Sequence, residues 1–334
     1  MLLILNKFLN SLLMRFLFIY YFLIVFFVST NIFSQENNII TYSKNVSNDT
    51  ISNWVKQNKV GFDFTQIAFV NWNAGGASSI SGLAKANFVR TYSRENYKWE
   101  NELILRYGLN KQDGKELQKT DDVLLFNSTI GYRKDTLTNW YYSSKFNFNT
   151  QFINGYAYPN TSISISKPLA PAYLFLGIGA ENINKRRNYT IYISPFTFKN
   201  TLVLDSRLAN QGAFGVRGAQ FDANGTMIIS GEKSKVELGM LFSSQLKKEV
   251  YKNIILDSRL ILYSDYINKF GNIDVDWNIL FESVVNKYVK ANIGTHLIYD
   301  DDIKAKNEVN GKQITIGPKI QLKQLLGIGV VYEF

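Results

Sequence analysis

Apolar and polar residues alternate with period two through much of this chain. The last nine residues show the pattern most plainly. Leu326, Ile328, Val330, Tyr332 and Phe334 fall on one face of an extended strand, and Gly327, Gly329, Val331 and Glu333 on the other. Between Ile273 and Glu282, Ile273, Val275, Trp277, Ile279 and Phe281 alternate with Asp274, Asp276, Asn278, Leu280 and Glu282. Tyr97–Leu109 and Trp140–Phe152 repeat the arrangement, with Asn101 off pattern in the first. Such alternation predicts half-buried strands. About twelve are expected, near Gly61–Trp72, Leu83–Tyr92, Tyr97–Leu109, Val123–Tyr132, Trp140–Phe152, Ala172–Ile183, Asn188–Ile193, Val236–Leu246, Ile254–Tyr263, Ile273–Glu282, Tyr288–Tyr299 and Lys319–Phe334. Gln66 interrupts the apolar face of the first, and the pattern offers no reason for it.

The connections alternate too. Those after even-numbered strands are short: Ser93–Asn96, Arg133–Asn139, Asn184–Arg187, Lys247–Asn253 and Ser283–Lys287. Those after the first, third, fifth, seventh and eleventh strands are longer: Asn73–Gly82, Asn110–Asp122, Ile153–Pro171, Ser194–Lys235 and Asp300–Pro318. Ser264–Asn272 is intermediate. Outer-membrane barrels pair short periplasmic turns with long external loops, and one strand face meets lipid while the other meets the lumen. A soluble sandwich has no reason to keep this parity. The expected fold is therefore all-β: a transmembrane antiparallel β-barrel of about twelve strands over 61–334, with both termini periplasmic.

The amino-terminal segment agrees with export. Lys7 and Arg15 precede an apolar run from Phe16 to Val28, shorter than the roughly 20 residues a spanning helix needs. Residues 1–34 are read as a signal peptide cut before Gln35, and 35–60 as a polar periplasmic leader with a turn near Trp54.

Composition narrows the function classes. There is no cysteine, which removes disulfides, thiol nucleophiles and cysteine metal sites. Aromatic residues make up 15%, as interfacial girdles require. The formal charge is +10, but its basic residues are scattered, the tightest groups being Lys185-Arg186-Arg187 and Lys247-Lys248. An exported protein meets little nucleic acid, so outer-membrane lipid and lipopolysaccharide are the expected anionic partners. The barrel is expected to be a monomer without a cofactor.

Six stretches resemble a family of outer-membrane β-barrel proteins of unknown function from Bacteroidota-type bacteria. They are Asn71–Gly76, Lys119–Asp122, Asn149–Tyr156, Pro168–Tyr173, Gln211–Val216 and Gln321–Gly327. The resemblance implies an address and a barrel, with no reaction attached. Resemblance to outer-membrane barrels in general also implies that Val330, Tyr332 and Phe334 form an assembly signal read by the barrel-assembly machinery.

Several residues are candidates for chemistry. Alternation points Lys98, Glu100, Glu102, Arg106, Lys145, Glu237, Arg259, Asp274, Asp276, Glu282 and His296 into the lumen. They suit either a channel wall that steers solutes or an ion-pair network that fills a narrow barrel. His296 is the only histidine. A phospholipase-like barrel hydrolase needs a Ser–His pair, and the residues after His296 are Leu297 and Ile298, so that reading is disfavoured. Asp300-Asp301-Asp302 and Asp121-Asp122 offer oxygen ligands but no EF-hand spacing, and are read as solvated acidic loops without metal. Gly177-Ile178-Gly179 and Gly327-Ile328-Gly329 lack the context of phosphate loops and mark bends or close packing. The 194–235 loop is expected to hold a helical turn at Asp205–Asn210. The leading expectation is a small-solute channel or structural barrel. The alternative is a surface recognition protein acting through its long loops.

Overall fold

The computed structural model describes residues 52–67, 77–267, 270–309 and 312–334. The signal-peptide and most leader expectations, and the Asn71–Gly76 stretch, lie outside them. Twelve strands close into one antiparallel barrel: β1 (Trp54–Ile67), β2 (Ser79–Arg94), β3 (Tyr97–Gln112), β4 (Gln118–Tyr132), β5 (Trp140–Thr150), β8 (Ala172–Asn184), β9 (Tyr189–Leu202), β12 (Ser234–Tyr251), β13 (Ile254–Asp265), β14 (Asp274–Val284), β15 (Val289–Tyr299) and β18 (Gln321–Glu333). Three hairpins stand outside the wall: β6 (Gly155–Ala157) with β7 (Asn160–Ser166), β10 (Gln220–Phe221) with β11 (Met227–Ile229), and β16 (Lys304–Val309) with β17 (Lys312–Pro318). Among the described residues one short helix, α1 (Ser206–Asn210), precedes a 3-10 turn at Ala213–Gly215. Among the described residues no helix is long and apolar enough to cross a membrane.

Closure follows from the pattern. Each strand carries one apolar face, and a sheet closed on itself leaves no unpaired edge. The seam joins β1 to β18 in register from Lys59↔Glu333 to Phe64↔Ile328. Gly329 of β18 allows it. A Cβ at Gly329 would overlap the Asp63 carboxylate, which Lys85 holds with bonds of 2.8 and 2.7 Å. Gly327 has only the Asp63 Cβ near its own position, at 3.8 Å.

The outward face is apolar and exposed. Phe64 is 46% exposed, Phe196 65%, Ile178 66% and Leu326 77%. Monomers stable in water rarely leave so large an apolar band uncovered. Two outward tryptophans satisfy their indole N–H groups on neighbouring strands. Trp99 donates to Ser128 Oγ at 3.0 Å and Trp277 to Ser258 Oγ at 3.1 Å. Hydrocarbon would leave those donors unpaired otherwise. Near the short-turn end the aromatics gather. Trp54 lies 5.3 Å from Tyr92 and 5.7 Å from Trp99, Tyr97 packs on Tyr132, and Tyr332 stacks on Phe334.

Several boundaries differ from the sequence expectation. The first strand begins at Trp54, so residues 54–60 belong to the wall and not to a leader or a turn. They form a full ladder with β2, Trp54↔Tyr92 to Val60↔Ala86, which outweighs their polar composition. The 110–122 connection shrinks to 113–117, because β3 and β4 pair through a bulge at Gly108/Leu109. The seventh strand runs on past Pro195 to Leu202, leaving a loop of 203–233. Proline has no N–H for a ladder. Here a register shift between Ile178 and Ala180 of β8, and another between Gly239 and Leu241 of β12, carry the ladder past it.

Candidate functional site

The candidate site is the inner face of the barrel. Paired residues share a face, so the register sorts the wall into two sets. All eleven sequence candidates fall in one set, together with Asp63, Lys85, Asp121, Glu181, Lys199, Lys235, Asp257, Lys290 and Lys323. Glu102 on β3 and Arg259 on β13 identify that face as the interior. Five strands separate them either way round the barrel, yet Arg259 Nη1 lies 3.7 Å from Glu102 Oε2. Only side chains crossing the lumen can meet in this way.

The interior charges are stacked in layers. In the half nearer the short turns, Glu102 accepts from Asn87 Nδ2 at 2.8 Å and Asn127 Nδ2 at 3.1 Å, while Arg259 Nε also meets Asp257 at 3.3 Å. Glu100 pairs with Lys98 at 2.9 Å, and Glu282 with Lys290 at 2.9 Å. Lys145 lies 3.3 Å from Glu181 and 4.5 Å from the centre of the Tyr192 ring. Higher up, Arg106 on β3 and Lys323 on β18 both reach one oxygen of Asp121 at 3.1 Å. His296 Nε2 is 2.8 Å from Asp276, so its partner is a carboxylate and not a serine.

Near the long-loop end, Lys199 is almost fully buried between Asp274 at 2.9 Å and Glu237 at 3.6 Å, over the Tyr263 ring. Lys235 bridges Glu237 at 3.4 Å and Asp302. Burying charges demands partners, and these have them.

Both acidic runs depart from the expectation of solvated loops. Asp121 and Asp122 lie inside β4. Asp122 pairs with Lys119 at 2.7 Å and accepts from the Phe152 and Ile153 N–H groups at 2.7 and 3.1 Å, which caps the next loop. Asp302 pairs with Lys235, and Asp301 accepts from Asn272 Nδ2 at 2.8 Å. Asp274, Asp300 and Asp301 bring oxygens within 4.8 Å of one another, but Asp274 is already neutralised by Lys199.

Sequence reasoning missed Lys199 and Lys235, because the strand carrying Lys199 seemed to end before Pro195 and Lys235 was placed in the loop. It passed over Asp63 and Lys323, although both sit at inward positions of strands it recognised.

The long loops form a structured cap. Val203, Leu208, Ala209 and Val216 bury themselves against Ala170 of the 151–171 loop. Arg207 donates to the Ser164 carbonyl, which ties α1 to β7. The expected helical turn is present, with Asp205 as its N-cap, accepting from Leu208 N–H at 3.0 Å. Lys167 Nζ donates to the same carboxylate at 2.6 Å. That bond, then the Leu208 N–H, holds the Asp205 carboxyl below the usual carboxylate range. A depressed folded value contributes stability that is complete above the unfolded value and vanishes as pH falls through the folded one. Asp205→Ala is expected to loosen the cap by about 1 kcal/mol at neutral pH. Hydrogen exchange at the Leu208 amide should read this, and the two proteins should converge in acid. Equal protection at neutral pH would remove the tether.

A family model described as "Protein of unknown function (DUF3078)" matches residues 64–156. Three of the six resembling stretches lie in that range. No curated protein matches the chain. The solved barrels to which the chain is similar include the following three. One is the translocator domain of autotransporter NalP from Neisseria meningitidis, at 10% identity over 84% of this chain and 88% of that one, TM-score 0.37. Another is the COG4313 outer membrane channel from Pseudomonas putida F1, at 9% identity over 84% and 95%, TM-score 0.39. The third is the NanC porin, at 10% identity over 82% and 98%, TM-score 0.35.

Proposed function

We propose that this chain is an outer-membrane β-barrel, with short turns and termini on the periplasmic side, whose lumen is a narrow passage for small solutes. The outward apolar band supports the membrane reading, since lipid is the solvent it suits. One observation carries the passage reading. The Glu102–Arg259 pair crosses the lumen, yet the Arg259 side chain remains 37% exposed and the Glu102 side chain 18%. A dry plug would bury both. The pair instead constricts a wet interior of mixed charge, which favours small solutes over a wide pore's indifference.

Single-channel recording in planar bilayers tests this. The wild type should conduct weakly, and a Glu102→Ala, Arg259→Ala double variant should conduct several-fold more. Silence from both, with the barrel folded, would reject a passage.

A second reading rests on the cap. Its surface displays Ile163 and Ile165 of β7 and Phe221, Ile228 and Ile229 of the β10–β11 hairpin, all more than half exposed. Ordered loops with exposed apolar tips suit surface recognition. Ligand binding that disappears on trimming 218–230, from a non-conducting barrel, would favour it.

A further inference from the structure

The chain's positive charge gathers at one end of the barrel. Every short turn or its flanking strand end carries exposed cations: Arg94 at β2–β3, Lys134 at β4–β5, Lys185, Arg186 and Arg187 at β8–β9, Lys248 and Lys252 at β12–β13, and Lys287 at β14–β15. The acids at this end are Glu95, which pairs with Arg94 at 3.9 Å, Asp135, Glu249 and, at the end of β18, Glu333, which pairs with Lys59 at 2.7 Å. Asp135 is occupied by the Leu137 and Thr138 N–H groups at 2.8 and 3.0 Å, and Glu249 by the Asn253 N–H at 2.8 Å. The three longest connections at the other end, 151–171, 203–233 and 300–320, balance their charges to within one unit. Scattered in sequence, the cations become a ring once the sheet closes.

Two more cations sit on the outward face itself. Trp54 pairs with Tyr92, and the next outward pair up the wall is Lys56 with Arg90. Arg90 donates to the Val89 carbonyl at 2.8 Å, and no acid is paired with it among the described residues. A cation on the lipid side, beside a tryptophan and a tyrosine, lies where headgroups meet hydrocarbon.

We propose that this rim binds the phosphates of anionic phospholipids, in the leaflet that meets the short turns. The inference rests on the membrane reading above. Cations on all five short turns suit an annulus of lipid, whereas a protein partner would be met by one side. The chemistry is electrostatic: each lysine or arginine near an anionic surface adds attraction, and salt screens it. Lipopolysaccharide offers the same phosphates, but in the reading adopted here it faces the long loops, which are neutral.

The test uses the full chain in a nonionic detergent, titrated with phosphatidylglycerol or phosphatidylcholine while the thermal unfolding midpoint is followed. Phosphatidylglycerol should raise the midpoint, phosphatidylcholine should not, and high salt should remove the difference. The variant K185Q/R186Q/R187Q/K248Q/K252Q should need roughly tenfold more phosphatidylglycerol or more. Arg90→Gln alone should weaken the response in the same direction. If the multiple variant does not fold, the wild-type lipid contrast and its salt dependence decide. Equal responses to the two phospholipids overturn the proposal. So does a response to lipopolysaccharide that exceeds that to phosphatidylglycerol and survives the variant, or cross-links from the short-turn lysines to an acidic protein without any lipid response. A chain that stays dispersed in water without detergent defeats the membrane reading, while a detergent-dependent barrel indifferent to phosphatidylglycerol defeats the rim alone.

Discussion

Replacing Gly179 with alanine is expected to abolish recovery of the folded barrel. Gly179 lies on β8 opposite the β9 irregularity at Ser194–Pro195. A Cβ there would sit on the Ile193 carbonyl oxygen and 2.7 Å from Ser194 Cα. Both are backbone atoms, so no rotamer change relieves the clash. The β8–β9 ladder would have to separate where it skips from Ile178↔Phe196 to Ala180↔Ile193. Overpacking costs about 1–3 kcal/mol when side chains can yield, and this case lies at or beyond that upper end. Gly177→Ala is the comparison. Its Cβ would meet the Ser194, Thr197 and Tyr192 hydroxyls at 2.9 Å each, all side-chain atoms and none of them backbone. It should fold with a modest loss. The fraction of heat-modifiable, compact species on a cold gel measures both. Equal recovery of the two would mean that β9 does not press on Gly179.

The second large effect concerns the two faces of one strand. Ile279 lies mid-strand on β14, outward with Trp277 and Phe281, and Asn278 beside it faces in between Arg259 and His296. Arginine at Ile279 should destabilise by about 2–4 kcal/mol if that position lies at the bilayer midplane. Arginine at Asn278 enters a wet interior that already holds Asp257 and Asp276, and should cost much less. Chemical denaturation in lipid vesicles separates the two, and equal costs would contradict the assigned faces.

Much of the wall was legible because strand alternation is local. β14 and β18 announce themselves within ten residues, and the parity of their connections needs only loop lengths. What escaped was non-local or locally disguised. Residues 54–60 read as leader because their polarity outweighs their alternation, and only pairing with β2 makes them a strand. Pro195 concealed half of β9, and with it Lys199, since the compensating shifts lie on β8 and β12. Inward candidates such as Glu102 and Arg259 were readable one at a time. Their meeting was not, because it depends on how many strands stand between β3 and β13. The charged rim was invisible for the same reason: Arg94 and Lys287 are distant in sequence and share an end only after closure.

The seam between β1 and β18 has a consequence for biogenesis. Its two edges come from opposite extremes of the folded chain, so this contact spans the longest separation and carries the largest loss of chain freedom. It is expected to be the last ladder to zip. A polypeptide cut short before Gly329 would keep every hairpin yet display two naked edges, open to pairing with strangers. Closure is therefore decided at residues 329–333 of β18, after nearly all of the sheet has already been made.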